Sequence, residues 1–139
     1  YVPGTNGGKM SKSQNNIINL FLPDKQLRKQ IMSIATDSTP LEDPKDWKTC
    51  NCFAIFTLVA DEQQIAKMKD NYERGGYGYG HAKQALFDLL KDKFSTERTR
   101  YNHYMNNLSE IDEALTIGAE KAQIVADTVL KRVRTRVGY

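Results

Sequence analysis

An all-α fold follows from three features of the chain. Apolar residues recur at three- and four-residue spacing over most of residues 23–137, Asp61 and Gln64 form a capping-box pattern, and the one apolar run able to form a strand has no partner strand. The predicted architecture is a helical bundle of about five helices behind a flexible N-terminal loop.

Residues 5–16 are Thr, Gly, Ser, Asn, Gln and Lys around a single Met, without apolar period, which argues a mobile loop; order is expected from Ile17. Pro23 and Asp24 open a helix with Leu27, Ile31 and Ile34 on one face and Lys25, Arg28 and Lys29 towards water, ending at the Thr36–Pro40 cluster. Residues 41–48 carry two prolines if the preceding Pro40 is counted with Pro44, and read as an irregular connector pinned by Trp47. Residues 53–59 are apolar on all sides, and the helical surroundings favour a central helix over a buried strand. Asp61 then caps a helix whose inner stripe is Ile65, Met68 and Tyr72. Gly75 and Gly76 end it, and a long helix starts near Gly80 or His81 with Leu86, Leu89, Leu90, Phe94, Tyr101, Met105 and Leu108 in register. Ser109 and Asp112 offer a last N-terminus. Beyond it Leu108, Ile111, Leu115, Gly118, Ala122, Val125, Val129 and Val133 form one seam, where the small residues suggest a close neighbouring helix.

Composition narrows the function classes. A net charge of +3 is too mild to announce a nucleic-acid binder, so the distribution of cations must carry that argument. No run reaches the length of a membrane span, residues 1–4 lack the features of a signal peptide, and the cytoplasm is the expected compartment. Cys50 and Cys52 are the only cysteines and lack two further ligands, which argues against structural zinc; no metal site is expected. His81 and His103 lack the partners of a triad or a metal site and read as structural.

Chemistry concentrates in Lys9-Met10-Ser11-Lys12-Ser13, set between Gly-rich residues 4–8 and Gln14-Asn15-Asn16. Two lysines three apart on a pliable backbone suit a polyphosphate and the charge that builds on it during transfer. A P-loop is excluded: Gly4 to Lys9 is one residue short of the required spacing, and Met10 stands where a Ser or Thr would ligate magnesium. Elsewhere two readings stay open. Tyr77 and Tyr79, in the Gly75–Gly80 cluster, either pack on the bundle or stack on splayed RNA bases. Lys131, Arg132, Arg134 and Arg136 either answer a helix C-terminus or bind phosphate, and Lys83, Lys91, Lys93, Arg98 and Arg100 could add a basic stripe on the long helix.

Lys9 to Ser13, followed by Asn and apolar residues, resembles the second signature motif of class I aminoacyl-tRNA synthetases. Residues 31–38, Asp43-Pro44-Lys45, residues 75–80 and Ala82-Lys83 extend that resemblance, over nearly the whole chain, to the C-terminal part of bacterial-type tryptophanyl-tRNA synthetases. The resemblance implies activation of tryptophan by ATP with Mg2+ and transfer to its tRNA. Lys12 would stabilise the transition state, Lys9 the pyrophosphate, backbone around Met10 would meet adenine, and Ser11 and Ser13 would bond phosphate oxygens. It further implies that residues 1–19 are the ATP loop and linker of a catalytic domain and residues 20–139 a helical anticodon-binding domain. Tyr77, Tyr79, Lys83, Lys131, Arg132, Arg134 and Arg136 are then candidate tRNA contacts. A Rossmann-type domain with the other motif and the amino-acid pocket would lie upstream of Tyr1, and would form most of a homodimer interface. Alone, this piece should not catalyse, and residues 4–16 should be poorly ordered. The alternatives are a non-catalytic helical RNA-binding or protein-interaction module, and a tyrosine-specific relative, whose bacterial form usually adds an RNA-binding module after the helices.

Overall fold

The computed structural model describes all 139 residues. It contains six α-helices: α1 (Asp24–Met32), α2 (Asn51–Thr57), α3 (Glu62–Arg74), α4 (Tyr79–Lys93), α5 (Ser95–Asn106) and α6 (Leu108–Val137). The sixth arises because the expected long helix is interrupted at Phe94, whose φ of −105° and ψ of 20° leave the helical region before α5 restarts. No helix is long and apolar enough to cross a membrane. The chain divides into two units, Tyr1–Arg98 and Thr99–Tyr139.

The first unit holds the core. Leu27 and Ile31 of α1, Cys52, Phe53, Ile55 and Phe56 of α2, Met68 and Tyr72 of α3, and Ala82, Leu86, Phe87 and Leu90 of α4 are all buried together. Helix α4 packs on α1 and α2, and α2 on α3. The spacing that suggested α1 continues past its end: the helix stops at Met32, yet Ile34, whose N–H reaches back to the Ile31 carbonyl, is still buried in the core cluster.

Helix α3 begins as the sequence requires. The Asp61 carboxylate accepts from Gln64 N at 2.8 Å while Gln64 Oε1 accepts from Asp61 N at 3.0 Å, so two otherwise orphaned donors are satisfied reciprocally. It ends at Gly75, where φ is +76° and a Cβ would stand 2.3 Å from the Glu42 carbonyl oxygen. Only glycine permits both the left-handed turn and that close approach.

The connector before α2 is pinned more firmly than Trp47 alone would achieve. Lys45 is 3% exposed, and its ammonium donates to the carbonyls of Pro40 (3.0 Å), Leu41 (3.2 Å) and Asp43 (3.0 Å). Its N–H donates to Tyr72 O at 2.8 Å. A buried cation is tolerated when every donor finds an oxygen, and here the side chain gathers the loop around itself. Trp47 lies against Phe53, with Nε1 donating to Glu73 and the Lys69 ammonium 4.5 Å from its ring.

The second unit differs in kind: none of residues 99–139 is buried. The predicted seam of α6 is present as a helix face, but Leu115 is 65% and Val125 66% exposed, and a Cβ built on Gly118 meets nothing within 4 Å. Within this unit no neighbouring helix approaches Gly118 as the small residues suggested. Helix α6 ends on Gly138 in the left-handed conformation, with Tyr139 N donating to Arg134 O. His103, expected to lack a carboxylate partner, has one: its Nε2 lies 3.0 Å from Glu110 Oε2, joining the end of α5 to the start of α6.

Candidate ATP loop and its supports

Residues 4–16 are not the open, poorly ordered loop that their composition suggests. The N–H of Gly4 donates to Gly8 O (2.7 Å), that of Gly7 to Gly4 O (3.0 Å), and that of Met10 to Val2 O (2.9 Å), with Pro3 and Lys9 forming an isolated antiparallel bridge. A chain rich in small polar residues has no apolar stripe to bury, but its carboxamides can substitute for one.

Asn16 is the hub. It is 2% exposed; its Oδ1 accepts from Ser11 N at 2.7 Å, and its Nδ2 donates to Asn6 Oδ1 (2.7 Å) and Lys9 O (3.0 Å), with Gln14 Oε1 farther off at 3.3 Å. Its own carbonyl accepts from Thr5 N at 2.9 Å. A side chain with both donors and acceptor engaged sets the path of the backbone on either side of Met10. Gly4 is the necessary partner, since a Cβ there would fall 2.3 Å from Asn16 Nδ2 and 2.7 Å from the Asn16 carbonyl oxygen.

Against this scaffold Lys9 and Lys12 are exposed, and neither ammonium has a protein partner. The backbone is organised while the two cations stay available, which is the arrangement that electrostatic stabilisation of a polyphosphate needs. Ser11 and Ser13 face one another, Oγ to Oγ at 2.7 Å, and the Met10 N–H is occupied by Val2 O. One of the two hydroxyls donates to the other, so one O–H stays free to donate to a phosphate oxygen. The donor set of ammoniums, hydroxyls and carboxamides fits phosphate and includes no carboxylate, so these residues do not fit a resident magnesium ion. No group of three or more His, Cys, Asp or Glu side chains comes together elsewhere in the structure.

The loop is tied to the helices by long-range bonds that sequence spacing cannot disclose. Ala35 N donates to Thr5 O at 2.7 Å, and Asn51 Nδ2, at the start of α2, donates to Gly4 O at 2.8 Å and Thr5 O at 3.3 Å.

The tRNA candidates are placed differently. Tyr77 and Tyr79 are half-buried, each ring 6.0 Å from that of Tyr72, and Tyr79 Oη donates to Asp37 Oδ1 at 2.8 Å. Both rings serve the packing of the first unit. Lys83 donates to Met32 O at 3.2 Å, Lys91 pairs with Asp24 at 2.5 Å, Lys93 reaches Val59 O at 2.5 Å, and Arg98 engages Leu20 O and Asp24. Those four members of the expected basic stripe are therefore engaged by the protein itself. Lys131, Arg132, Arg134 and Arg136, in the second unit, are exposed. Of the seven candidates, Tyr77, Tyr79 and Lys83 belong to the first unit and Lys131, Arg132, Arg134 and Arg136 to the second.

The perturbed acids mark structure. Burial pushes the Cys52 thiol up to about 12, which makes it an inert core residue, and burial raises Tyr72 as well. Asp37 is held below the usual carboxylate range by its bonds from Thr39 and then Tyr79, while burial, with the Asp37 bond second, lifts Tyr79 to about 12. The unfolded chain releases the Tyr79 proton near pH 10 and the folded chain keeps it until about 12. The contribution of Tyr79 to thermal stability should therefore be full below pH 10, fall as pH rises from 10 to 12, and be gone beyond. Melting curves across that range should show the fall, and Tyr79→Phe should remove this component of it.

Comparison with known proteins agrees with the motif. The family described as tRNA synthetases class I (W and Y) matches residues 1–95. Tryptophan–tRNA ligase of Campylobacter jejuni (strain RM1221) is 44% identical over 137 residues, covering 99% of this chain and 43% of the relative. That of Rhodopirellula baltica is 40% identical with the same coverage, and that of Pseudomonas aeruginosa 36% identical with 30% of its length covered. The solved structure of tryptophanyl-tRNA synthetase from Campylobacter jejuni, complexed with ADP and tryptophan, matches with a TM-score of 0.95 at 43% identity, over 99% of this chain and 43% of that one. The chain thus spans less than half the length of these relatives. With its lysine motif, its helical fold and a family match over residues 1–95, the chain belongs to the class I tRNA synthetases of the tryptophan and tyrosine group.

Proposed function

We propose that the chain is the C-terminal part of a tryptophan–tRNA ligase, supplying the ATP-closing loop and a helical surface for the anticodon region of the tRNA. The observation that carries this reading is the pair of exposed, unpartnered lysines on a loop whose backbone is held by Asn16. In the proposed reaction a tryptophan carboxylate oxygen attacks the α-phosphorus of ATP, and pyrophosphate departs with the electrons of the broken bond. Negative charge grows on the leaving oxygens as that bond lengthens. Lys12 meets that charge in the transition state and Lys9 neutralises the pyrophosphate. Magnesium enters with the nucleotide rather than on a site built from these residues.

Tryptophan in place of tyrosine is supported by the relatives, all tryptophan–tRNA ligases at 36–44% identity. The direct test is amino-acid-dependent exchange of pyrophosphate into ATP by the full-length enzyme. Exchange driven by tryptophan sustains the reading, exchange driven by tyrosine shifts it to the tyrosine relative, and no exchange favours a non-catalytic RNA-binding module.

For tRNA, the exposed cations Lys131, Arg132, Arg134 and Arg136 are the proposed phosphate contacts. Neutralising all four is expected to weaken tRNA binding and to flatten its salt dependence, each phosphate contact contributing roughly 0.7–0.9 to the logarithmic slope. Filter binding across a salt series measures this. Discrimination against a swapped anticodon tests the anticodon assignment, and its absence would remove it.

A further inference from the structure

We infer that Asn51 is a positioning residue for ATP activation: it clamps the root of the lysine loop to the helical unit and thereby sets where Lys9 and Lys12 stand. This deepens the ATP-loop reading and rests on it. Asn51 is the first residue of α2. Its carboxamide Nδ2 donates to Gly4 O at 2.8 Å and to Thr5 O at 3.3 Å, across 47 and 46 residues of chain. The Thr5 carbonyl receives a second donor, Ala35 N at 2.7 Å, from just beyond α1. One peptide of the loop is thus held between the exit of α1 and the entrance of α2, two elements whose apolar residues belong to the buried core.

The clamp connects to the lysines through short steps. Thr5 N donates to Asn16 O, and the Asn16 side chain binds Lys9 O and Ser11 N. Gly4 cannot yield by carrying a side chain, because a Cβ would strike Asn16. Displacing residues 4 and 5 therefore displaces Asn16 and the backbone flanking Met10. The two cations themselves have no protein partner, so their placement depends wholly on that backbone. Asn51 touches neither lysine and needs no contact with nucleotide to affect the rate; it acts through geometry, where a misplacement of about 1 Å is enough to cost catalysis.

Loss of two amide hydrogen bonds at the root of the loop is expected to shift the balance between placed and displaced loop by about tenfold. The test compares full-length wild type, Asn51→Ala and Asn51→Gln in tryptophan-dependent pyrophosphate exchange, with ATP and tryptophan titrated separately. Asn51→Ala should lower kcat about tenfold while KM for tryptophan stays within twofold, and Asn51→Gln, which keeps the donor, should recover part of the loss. Hydrogen exchange of the same enzymes gives a readout that does not depend on turnover. Peptides covering residues 4–16 should exchange faster in Asn51→Ala, with α3 and α4 peptides unchanged.

Unchanged exchange in the loop peptides overturns the proposal, as does wild-type kcat in Asn51→Ala. A uniform rise of exchange across the core helices would also overturn it, by making Asn51 a general stability residue. Wild type and Lys12→Ala run alongside separate this from the parent reading. If wild type shows no exchange activity, or Lys12→Ala is silent, the ATP-loop reading fails. A Lys12-sensitive enzyme indifferent to Asn51→Ala removes only the clamp.

Discussion

Lys12→Ala in the full-length enzyme is expected to slow adenylate formation by on the order of 10²-fold or more, with a much smaller change in ATP affinity. The asymmetry comes from where the charge appears. In bound ATP the triphosphate already carries its charge and shares it with magnesium and water. In the transition state, extra charge moves onto the oxygens of the departing pyrophosphate, and a cation already placed there gains most at that moment. The Lys12 ammonium is free of intramolecular partners, so its field is not spent on the protein, and the Asn16 scaffold limits the reorganisation needed to aim it. Lys12→Arg should restore less than its charge suggests, because the guanidinium fork does not occupy the position of a compact ammonium. Single-turnover formation of tryptophanyl-adenylate, measured beside equilibrium ATP binding, separates the two quantities. Equal losses in both would make Lys12 a ground-state binding residue, and an unchanged rate would end its catalytic assignment.

The largest expected effect on stability is Tyr72→Ala, at about 3–5 kcal/mol. Tyr72 is fully buried, its ring lies 5.8 Å from Phe53 and 6.0 Å from both Tyr77 and Tyr79, and its carbonyl accepts the N–H of Lys45. Removing it opens a cavity at the meeting point of α2, α3, the Lys45 loop and the start of α4. A close-packed interior refills such a space only partly, so the lost contacts add to the lost transfer energy. Tyr72→Phe should cost far less, since the hydroxyl makes one weak bond, 3.5 Å to Cys50 Sγ. Urea unfolding of this chain, followed through its single tryptophan, Trp47, which packs on Phe53, reports both variants. Similar midpoints for the two would show that the ring is not the packing keystone.

How much of this was legible beforehand varies with the range of the interactions. The helix at Asp61 was readable to the residue because both halves of its cap lie within three positions of each other. The break at Phe94 was not, since the apolar spacing runs on through it and only the backbone departs. The α6 seam was read correctly as a periodic face and wrongly as a covered one: periodicity states that a face is apolar, and a partner has to come from elsewhere. The cations of α4 and the start of α5 show the same limit. As sequence they form a basic stripe; in the fold, Lys83, Lys91, Lys93 and Arg98 answer carbonyls and Asp24 from segments distant in the chain.

The loop shows the division most plainly. The chemistry of Lys9, Ser11, Lys12 and Ser13 is a matter of residue type and spacing, and the sequence by itself determined that these residue types suit phosphate and which family they resemble. Whether the loop has a definite shape was decided only by tertiary structure. Its order comes from one buried carboxamide at Asn16 and from Asn51 and Ala35, which lie tens of residues away. Local composition reads a polar, glycine-rich segment as mobile because it has nothing apolar to bury. Hydrogen bonds supply the constraint instead: those of Asn16 close within the loop, while those from Asn51 and Ala35 close across the fold, where no pattern within twelve residues can record them.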